Sequence, residues 1–119
     1  MARITGIDGI FLRAHGPDAL TGWYRRHPGV VPSRPGPQHQ EAGPTAVSVF
    51  AEDDAYWPAD RHWMLNLRTD DIDGLLAHLS AAGIEARTDP AWDAQGIGRF
   101  ARIHDPEGTP IELREPPAA

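Results

Sequence analysis

The sequence predicts an α+β protein made of two similar units, and the order of its elements is the first reason. Strand, helix, loop and strand are followed by strand, helix and three further strands. A shift of 55 positions also aligns the first strand and helix with a second strand and helix. Four aligned pairs of residues are then identical: Leu12 and Leu67, Arg13 and Arg68, Asp18 and Asp73, and Leu20 and Leu75. We therefore expect an internal duplication.

The first unit, about residues 4–56, is predicted to begin with a strand over Ile7–Ala14. Pro17 then starts a helix, because proline at the first helical position lacks only an N–H that would be unpaired anyway. A second strand is predicted over Ala46–Glu52. The intervening Pro28–Thr45 segment is rich in proline and glycine, which predicts a long mobile loop.

The second unit, about residues 60–115, is predicted to begin with a strand over His62–Arg68. A helix follows, capped by Asp70 or Asp71 and ended by Gly83. Its apolar stripe consists of Ile72, Leu75, Leu76, Leu79 and Ala82. Three strands are predicted to complete the unit, at residues 84–87, 99–103 and 110–114.

Composition narrows the class of protein. Hydrophobic residues make up 40% of the 119 residues and charged residues 24%, and no apolar run approaches the roughly 20 residues of a membrane span. The chain has no cysteine and no signal-peptide pattern, which predicts a cytoplasmic protein. A formal charge of −6 argues against nucleic acid as a partner. A small molecule or another protein is expected instead.

The last two strands form a hairpin whose register decides where Glu112 lies. Asp105–Gly108 is a tight-turn sequence. A two-residue turn would place Glu112 opposite Ala101, whereas a longer loop would place it opposite Arg102. The second register is favoured because it brings the apolar residues of both strands to the helix-packed face. These residues are Ala101, Ile103, Ile111 and Leu113.

Two segments, "NLRTDDIDGLLAHLSAAGIEA" and "GRFARIHDPEGTPIEL", resemble the vicinal oxygen chelate superfamily, which includes glyoxalase I, bleomycin-resistance proteins and extradiol dioxygenases. The resemblance covers nearly the whole chain. It implies two βαβββ units whose curved mixed sheets enclose a cup, with the helices outside. It also implies a single domain over residues 1–119 and a homodimer.

Metal-dependent members of that superfamily place ligands on the first and last strands of each unit. The resemblance assigns the first-strand positions to Gly9 and Met64 and one last-strand position to Glu112, and the fourth falls near Ser48 to Phe50. Neither glycine nor a thioether suits a catalytic divalent metal. No cofactor is therefore expected. A displaced divalent-metal site built on Glu112 and His62 is the alternative.

Strand alternation predicts which side chains face the cup. The expected ligand-binding residues are Phe11, Arg13, His62, Asn66, Arg102 and Glu112. Glu112 beside Arg102 is open to a second interpretation, a purely structural ion pair. Trp57 and Trp92 are candidates for the cup rim.

Three functional classes remain open. The first is a protein that binds a small organic molecule in its cup without the full metal tetrad. The second is a glyoxalase-like lyase or a dioxygenase with a displaced metal site. The third is a structural or regulatory dimer without a ligand.

Overall fold

The computed structural model describes residues 2–5, 9–30 and 40–118, and within them the chain forms an α+β fold, as predicted. Its helices are α1 (Pro17–Arg26), α2 (Ile72–Ala81) and α3 (Pro90–Asp93). Its strands are β1 (Leu65–Arg68), β2 (Arg99–His104) and β3 (Pro110–Glu115). None of the helices in the described ranges is both long and apolar enough to span a bilayer.

The three strands form one mixed sheet with β3 in the centre. β1 runs parallel to β3 on one side, and β2 runs antiparallel to β3 on the other. Arg87 extends the sheet beyond β2 through two backbone hydrogen bonds with Arg102, each of 2.8 Å. The strand predicted at residues 84–87 is therefore reduced to this single bridge.

The hairpin adopts the register in which Arg102 lies opposite Glu112, which confirms the prediction. The four apolar residues that were expected on the helix-packed face all lie in the core and are almost fully buried. They are Ala101, Ile103 and Ile111, at 0% exposure, and Leu113, at 1%. Ile72 and Leu79 of α2 belong to the same core, so the sheet and α2 share one apolar interior.

Helix α2 has the predicted termini. The Asp71 carboxylate accepts a hydrogen bond of 3.0 Å from the Gly74 N–H, which caps the first turn. Gly83 has a φ of 78°, the left-handed conformation that ends helices and favours glycine. The local signals in the sequence were therefore sufficient to define this helix.

Helix α1 is attached to the sheet through the turn between β2 and β3. The Tyr24 hydroxyl donates a buried hydrogen bond of 2.7 Å to Asp105. The carboxylate of Glu107 accepts from the N–H groups of His15 and Gly16, at 3.0 and 3.1 Å, just before the helix begins. Gly16 has no side chain with which to cap α1, and these two hydrogen bonds instead hold the residues just before the helix against the turn.

The strands predicted in the first unit do not form in the described residues. Of Ile7–Ala14, residues 7 and 8 lie outside the described ranges, and 9–14 are in neither helix nor strand. Ala46–Glu52 is likewise not a strand, and Val49 is 95% exposed. An alternating sequence provides an apolar face, but a strand also needs a neighbouring strand edge to pair its backbone groups. These two segments have no such partner in the described chain.

Three smaller points concern other parts of the predicted structure. The strand predicted from His62 begins only at Leu65, where pairing with β3 begins. Residues 31–39 of the predicted Pro28–Thr45 loop lie outside the described ranges. Helix α3 was not predicted, although Asp89 caps it and Pro90 occupies its first turn.

Candidate functional site

Three of the predicted site residues lie side by side across the sheet. Asn66 on β1 is opposite Glu112 on β3, and Glu112 is opposite Arg102 on β2. We call these three residues the polar row. Because successive side chains alternate along a strand, the row occupies the face opposite the helix-packed core. Strand alternation placed all three side chains on one side of the sheet, and the hairpin register placed Arg102 opposite Glu112. The position of Asn66 opposite Glu112 was not predicted.

Glu112 is only 9% exposed, and both of its carboxylate oxygens accept hydrogen bonds. Oε1 accepts from the Asn66 side-chain amide, and Oε2 accepts from the Tyr56 hydroxyl. The ion pair that the sequence suggested between Glu112 and Arg102 is not formed. Among the described residues, the ion pair present joins Arg99 to Asp73, at 2.8 Å. Tyr56 has taken the place of Arg102 as the partner of Glu112.

Arg102 is 5% exposed and contacts the same tyrosine. Its Nη1 donates a hydrogen bond of 3.0 Å to the Tyr56 carbonyl. Its guanidinium carbon lies 4.5 Å from the centroid of the Tyr56 ring and 5.7 Å from that of Trp92. Its remaining nitrogens, Nε and Nη2, are buried and have no hydrogen-bond partner within the described ranges. A buried cationic donor without an acceptor is energetically unfavourable, so this edge of Arg102 is chemically incomplete.

Tyr56 is held as a neutral hydrogen-bond donor. Burial raises its pKa to about 12, and the hydrogen bond to Glu112 and the charge of that carboxylate act in the same direction. Arg102 opposes this shift because its positive charge favours the phenolate. The phenol therefore stays protonated at neutral pH, which is the form that can donate to Glu112.

Aromatic side chains surround Tyr56. Phe50 stacks on it with ring centroids 5.9 Å apart and planes at 11°, and Trp92 meets it edge to face at 5.7 Å. Trp57 packs against Phe50 at 4.8 Å. We call Phe50, Tyr56, Trp57 and Trp92 the aromatic cluster. Two of its rings, those of Tyr56 and Trp92, lie next to the buried guanidinium of Arg102.

The role of Tyr56 was missed in the sequence, whereas Trp57 and Trp92 were predicted as rim residues. Tyr56 lies in the connector "DDAYWPADR", which has neither helical nor strand periodicity. Its contact with Glu112 joins residues 56 positions apart. The only available signal was the aromatic pair itself, in an otherwise polar connector.

A cavity of about 960 Å³ adjoins Arg102. Trp23, Tyr56 and Trp57 contribute aromatic surface to its wall. Charged groups of both signs line the remainder: Arg87, Arg102, Glu52, Asp53, Asp54, Glu85 and Asp105. This volume is within the range that accommodates a small organic ligand, and the wall combines aromatic rings with five acidic and two basic side chains.

The other predicted site residues lie apart from this cavity. His62 lines a second cavity of about 240 Å³ together with Arg61 and Trp63. Phe11, which is 97% exposed, and Arg13 lie in the irregular segment before α1. Neither residue lines either cavity. The structure thus brings together Asn66, Arg102 and Glu112, but not the remaining three.

The residues present do not fit the four-ligand metal site that the resemblance implies. Glu112 has both carboxylate oxygens engaged by Tyr56 and Asn66. Gly9 provides no donor atom, and Met64 provides only a thioether. Across residues 2–5, 9–30 and 40–118, no three His, Asp or Glu side chains are grouped so as to hold a metal ion.

Comparison with known proteins gives short matches to individual relatives. Two mycobacterial proteins, from Mycobacterium bovis and Mycobacterium tuberculosis, carry the name CFP32 and are described as candidate glyoxylases. Each is 36% identical over 55 residues, which is 46% of this chain and 21% of the relative. The matched region is thus about a fifth of the length of these relatives.

A solved structure and a family model complete the comparison. TnmS3, an antibiotic binding protein from Streptomyces sp. CB03234, is 36% identical, with 44% of this chain and 41% of that chain covered and a TM-score of 0.36. The model of the glyoxalase-like domain matches residues 9–114, which is most of the chain. The chain therefore belongs to the glyoxalase-like domain family, within the vicinal oxygen chelate superfamily.

Proposed function

We propose that this glyoxalase-like domain binds a small organic molecule in the cavity beside Arg102, without the metal tetrad of its metal-dependent relatives. One observation carries the proposal. Arg102 is 5% exposed and lines a cavity of about 960 Å³, and two of its nitrogens have no hydrogen-bond partner among residues 2–5, 9–30 and 40–118. A protein that only needed a core at this position would gain stability from an apolar residue instead. A retained buried charge beside a cavity supports a role in binding.

Some of the surrounding residues would contact the ligand, and others hold these contacting residues in place. Tyr56 and Trp57 provide apolar surface against which the carbon skeleton of a ligand packs. Glu112 and Asn66 do not line the cavity. We assign Glu112 the role of holding the Tyr56 hydroxyl, and Asn66 the role of holding the Glu112 carboxylate. Phe11, Arg13 and His62 have no part in this proposal, since they do not line the cavity.

The proposal includes the finer features of the superfamily. These are a cup completed by both βαβββ units, a homodimer and a cytoplasmic location. Sedimentation at micromolar protein concentration tests the homodimer, because a single 13.0 kDa species would contradict it.

A binding screen tests the proposed function. Native protein is titrated with a panel of small organic acids, amines and neutral aromatic compounds, and tryptophan fluorescence and thermal unfolding are recorded. Trp23 and Trp57 line the cavity and Trp92 lies next to Arg102, so a bound ligand changes their emission. We expect saturable binding by at least one compound class. No saturable change with any class would contradict the proposal and favour a structural or regulatory dimer.

The same preparation addresses the enzyme alternative. Protein purified without chelator or metal-affinity steps is submitted to elemental analysis and then titrated with Zn, Ni, Mn and Fe salts. We expect no stoichiometric metal. A stoichiometric metal that disappears in Glu112→Gln would overturn this part of the proposal and favour a lyase or dioxygenase.

A further inference from the structure

The unpartnered donors of Arg102 lie on one edge of its guanidinium. Nη1 is already committed to the Tyr56 carbonyl, at 3.0 Å. Nε and Nη2, which have no partner in the described chain, are the two nitrogens whose N–H bonds point outward in parallel. This edge is the part of an arginine that binds a planar carboxylate through two hydrogen bonds. The free donors therefore match one ligand group in both number and direction.

No carboxylate of the protein takes this edge in the part of the chain that the structure describes. Glu112 is opposite Arg102 in the sheet, yet its two oxygens are occupied by Asn66 and Tyr56. The acidic residues of the cavity wall, including Glu85 and Asp105, form no ion pair with Arg102. Arginine does not lose its proton in proteins, so the buried charge persists, and among the described residues no carboxylate forms a direct ion pair with it.

We propose that the ligand of this cavity is an organic carboxylate, bound by the Nε and Nη2 edge of Arg102 through two parallel hydrogen bonds. The inference rests on the proposed function and specifies its ligand class. The carboxylate accepts hydrogen bonds from the two unpaired nitrogens of Arg102. The apolar remainder of the ligand packs against Tyr56 and Trp57, which line the cavity. A neutral ligand of the same shape would leave the charge of Arg102 unpaired and would bind more weakly.

Access to this edge requires a local movement. Nε and Nη2 are buried beneath neighbouring groups, and the rings of Tyr56 and Trp92 lie 4.5 and 5.7 Å from the guanidinium carbon. Trp92 belongs to α3, a helix of only four residues, and Tyr56 belongs to an irregular connector. We expect these rings to shift when a carboxylate binds, so binding should change tryptophan emission.

The test uses a matched pair of probes, 2-naphthoate and its uncharged amide, 2-naphthamide, titrated into native protein by calorimetry. We expect the acid to bind about tenfold more tightly than the amide, or better, because hydrogen bonds to charged groups are the stronger ones. Arg102→Gln is expected to remove this preference. Arg102→Lys keeps the charge without the fork and should retain only part of it.

Arg99→Gln is the control, because Arg99 lies on the same strand but is exposed and paired with Asp73. It should leave the preference for the acid unchanged. If Arg102→Gln does not fold, the comparison of acid and amide on native protein still decides the matter.

The outcomes separate the inference from the function on which it rests. Equal affinity for the acid and the amide would overturn the carboxylate assignment and leave small-molecule binding intact. Binding of neutral or cationic compounds in the screen with no binding of 2-naphthoate would have the same meaning. Absence of binding by every compound class would overturn both.

Discussion

The two faces of the hairpin have opposite chemistry although their residues alternate along the same strands. On the helix-packed face, Ile103 and Ile111 are completely buried among apolar neighbours. On the other face, Arg102 and Glu112 are also buried, at 5% and 9% exposure, but they are charged and lie against Tyr56.

The two faces differ in whether their buried groups all have the neighbours that burial requires, which are apolar contacts on one face and hydrogen-bond partners on the other. The residues of the apolar face are buried among apolar neighbours, and burial of apolar surface is the dominant favourable term in folding. The polar row is satisfied only in part: Glu112 has both oxygens bonded, whereas Nε and Nη2 of Arg102 have no partner in the part of the chain that the structure describes. Local departures from a well-packed core are expected at functional sites. We therefore expect changes on the first face to affect folding and changes at Arg102 to affect binding.

The largest effect on stability is expected from Ile111→Ala on the helix-packed face. Loss of a fully buried side chain leaves a cavity and should lower the free energy of unfolding by about 2–5 kcal/mol. Urea denaturation measures this change. Ile97→Ala is the matched control, because Ile97 is 50% exposed and should change stability by about 0.5 kcal/mol or less. Equal effects of the two substitutions would show that the core is wrongly placed.

A smaller effect is expected at the junction between α1 and the hairpin turn. Tyr24→Phe removes the hydroxyl that donates to Asp105 and leaves a buried carboxylate with one acceptor unpaired. Loss of this hydrogen bond should lower the free energy of unfolding by about 1–3 kcal/mol, again measured in urea. Unchanged stability would mean that α1 is not held by this contact.

The contact between Tyr56 and Glu112 is expected to contribute less, because Tyr56 is only partly buried. Tyr56→Phe and Glu112→Gln should each lower stability by about 0.5–1.5 kcal/mol. Since the two residues share one hydrogen bond, the double variant should lose less than the sum of the single variants. Additive losses in this double-mutant cycle would contradict the shared contact.

A pH titration examines the same tyrosine without changing the polar row. The chain has two tyrosines, so Tyr24→Phe leaves only Tyr56 to be followed by phenolate absorbance. Its pKa of about 12 lies above the unfolded value of about 10, so its contribution to stability is complete below pH 10 and is lost as pH rises toward 12. Circular dichroism follows folding in parallel. A midpoint near pH 10 in folded protein would show that Tyr56 is not buried against Glu112.

Much of the fold could be predicted because its signals are local. Pro17, Asp71 and Gly83 mark helix boundaries through their own backbone chemistry. The hairpin register follows from which alternating residues must be buried, and the same alternation placed Asn66, Arg102 and Glu112 on one side of the sheet.

The rest of the fold and of the site depends on contacts between segments that are far apart in the sequence. Hydrophobic periodicity does not reveal such contacts. Ile7–Ala14 and Ala46–Glu52 have strand-like alternation, but the described parts of both segments have no pairing partner. Arg102 and Glu112 lie opposite each other as predicted, but they form no direct ion pair. Tyr56, from an irregular connector, accepts from Arg102 through its carbonyl and donates to Glu112 through its hydroxyl. Alternation gives the direction of a side chain but not the segment that covers it.

The central claim is that the buried Nε and Nη2 edge of Arg102 binds a ligand carboxylate. Its most direct test is nuclear magnetic resonance of the arginine Nε–H groups. Native ¹⁵N-labelled protein is titrated with 2-naphthoate, and the Arg102 signal is assigned by its absence in Arg102→Lys. We predict that the Arg102 Nε proton moves downfield and exchanges more slowly with water on binding, while the Arg99 signal stays in place. Saturable binding of 2-naphthoate with no change in the Arg102 signal would contradict the account.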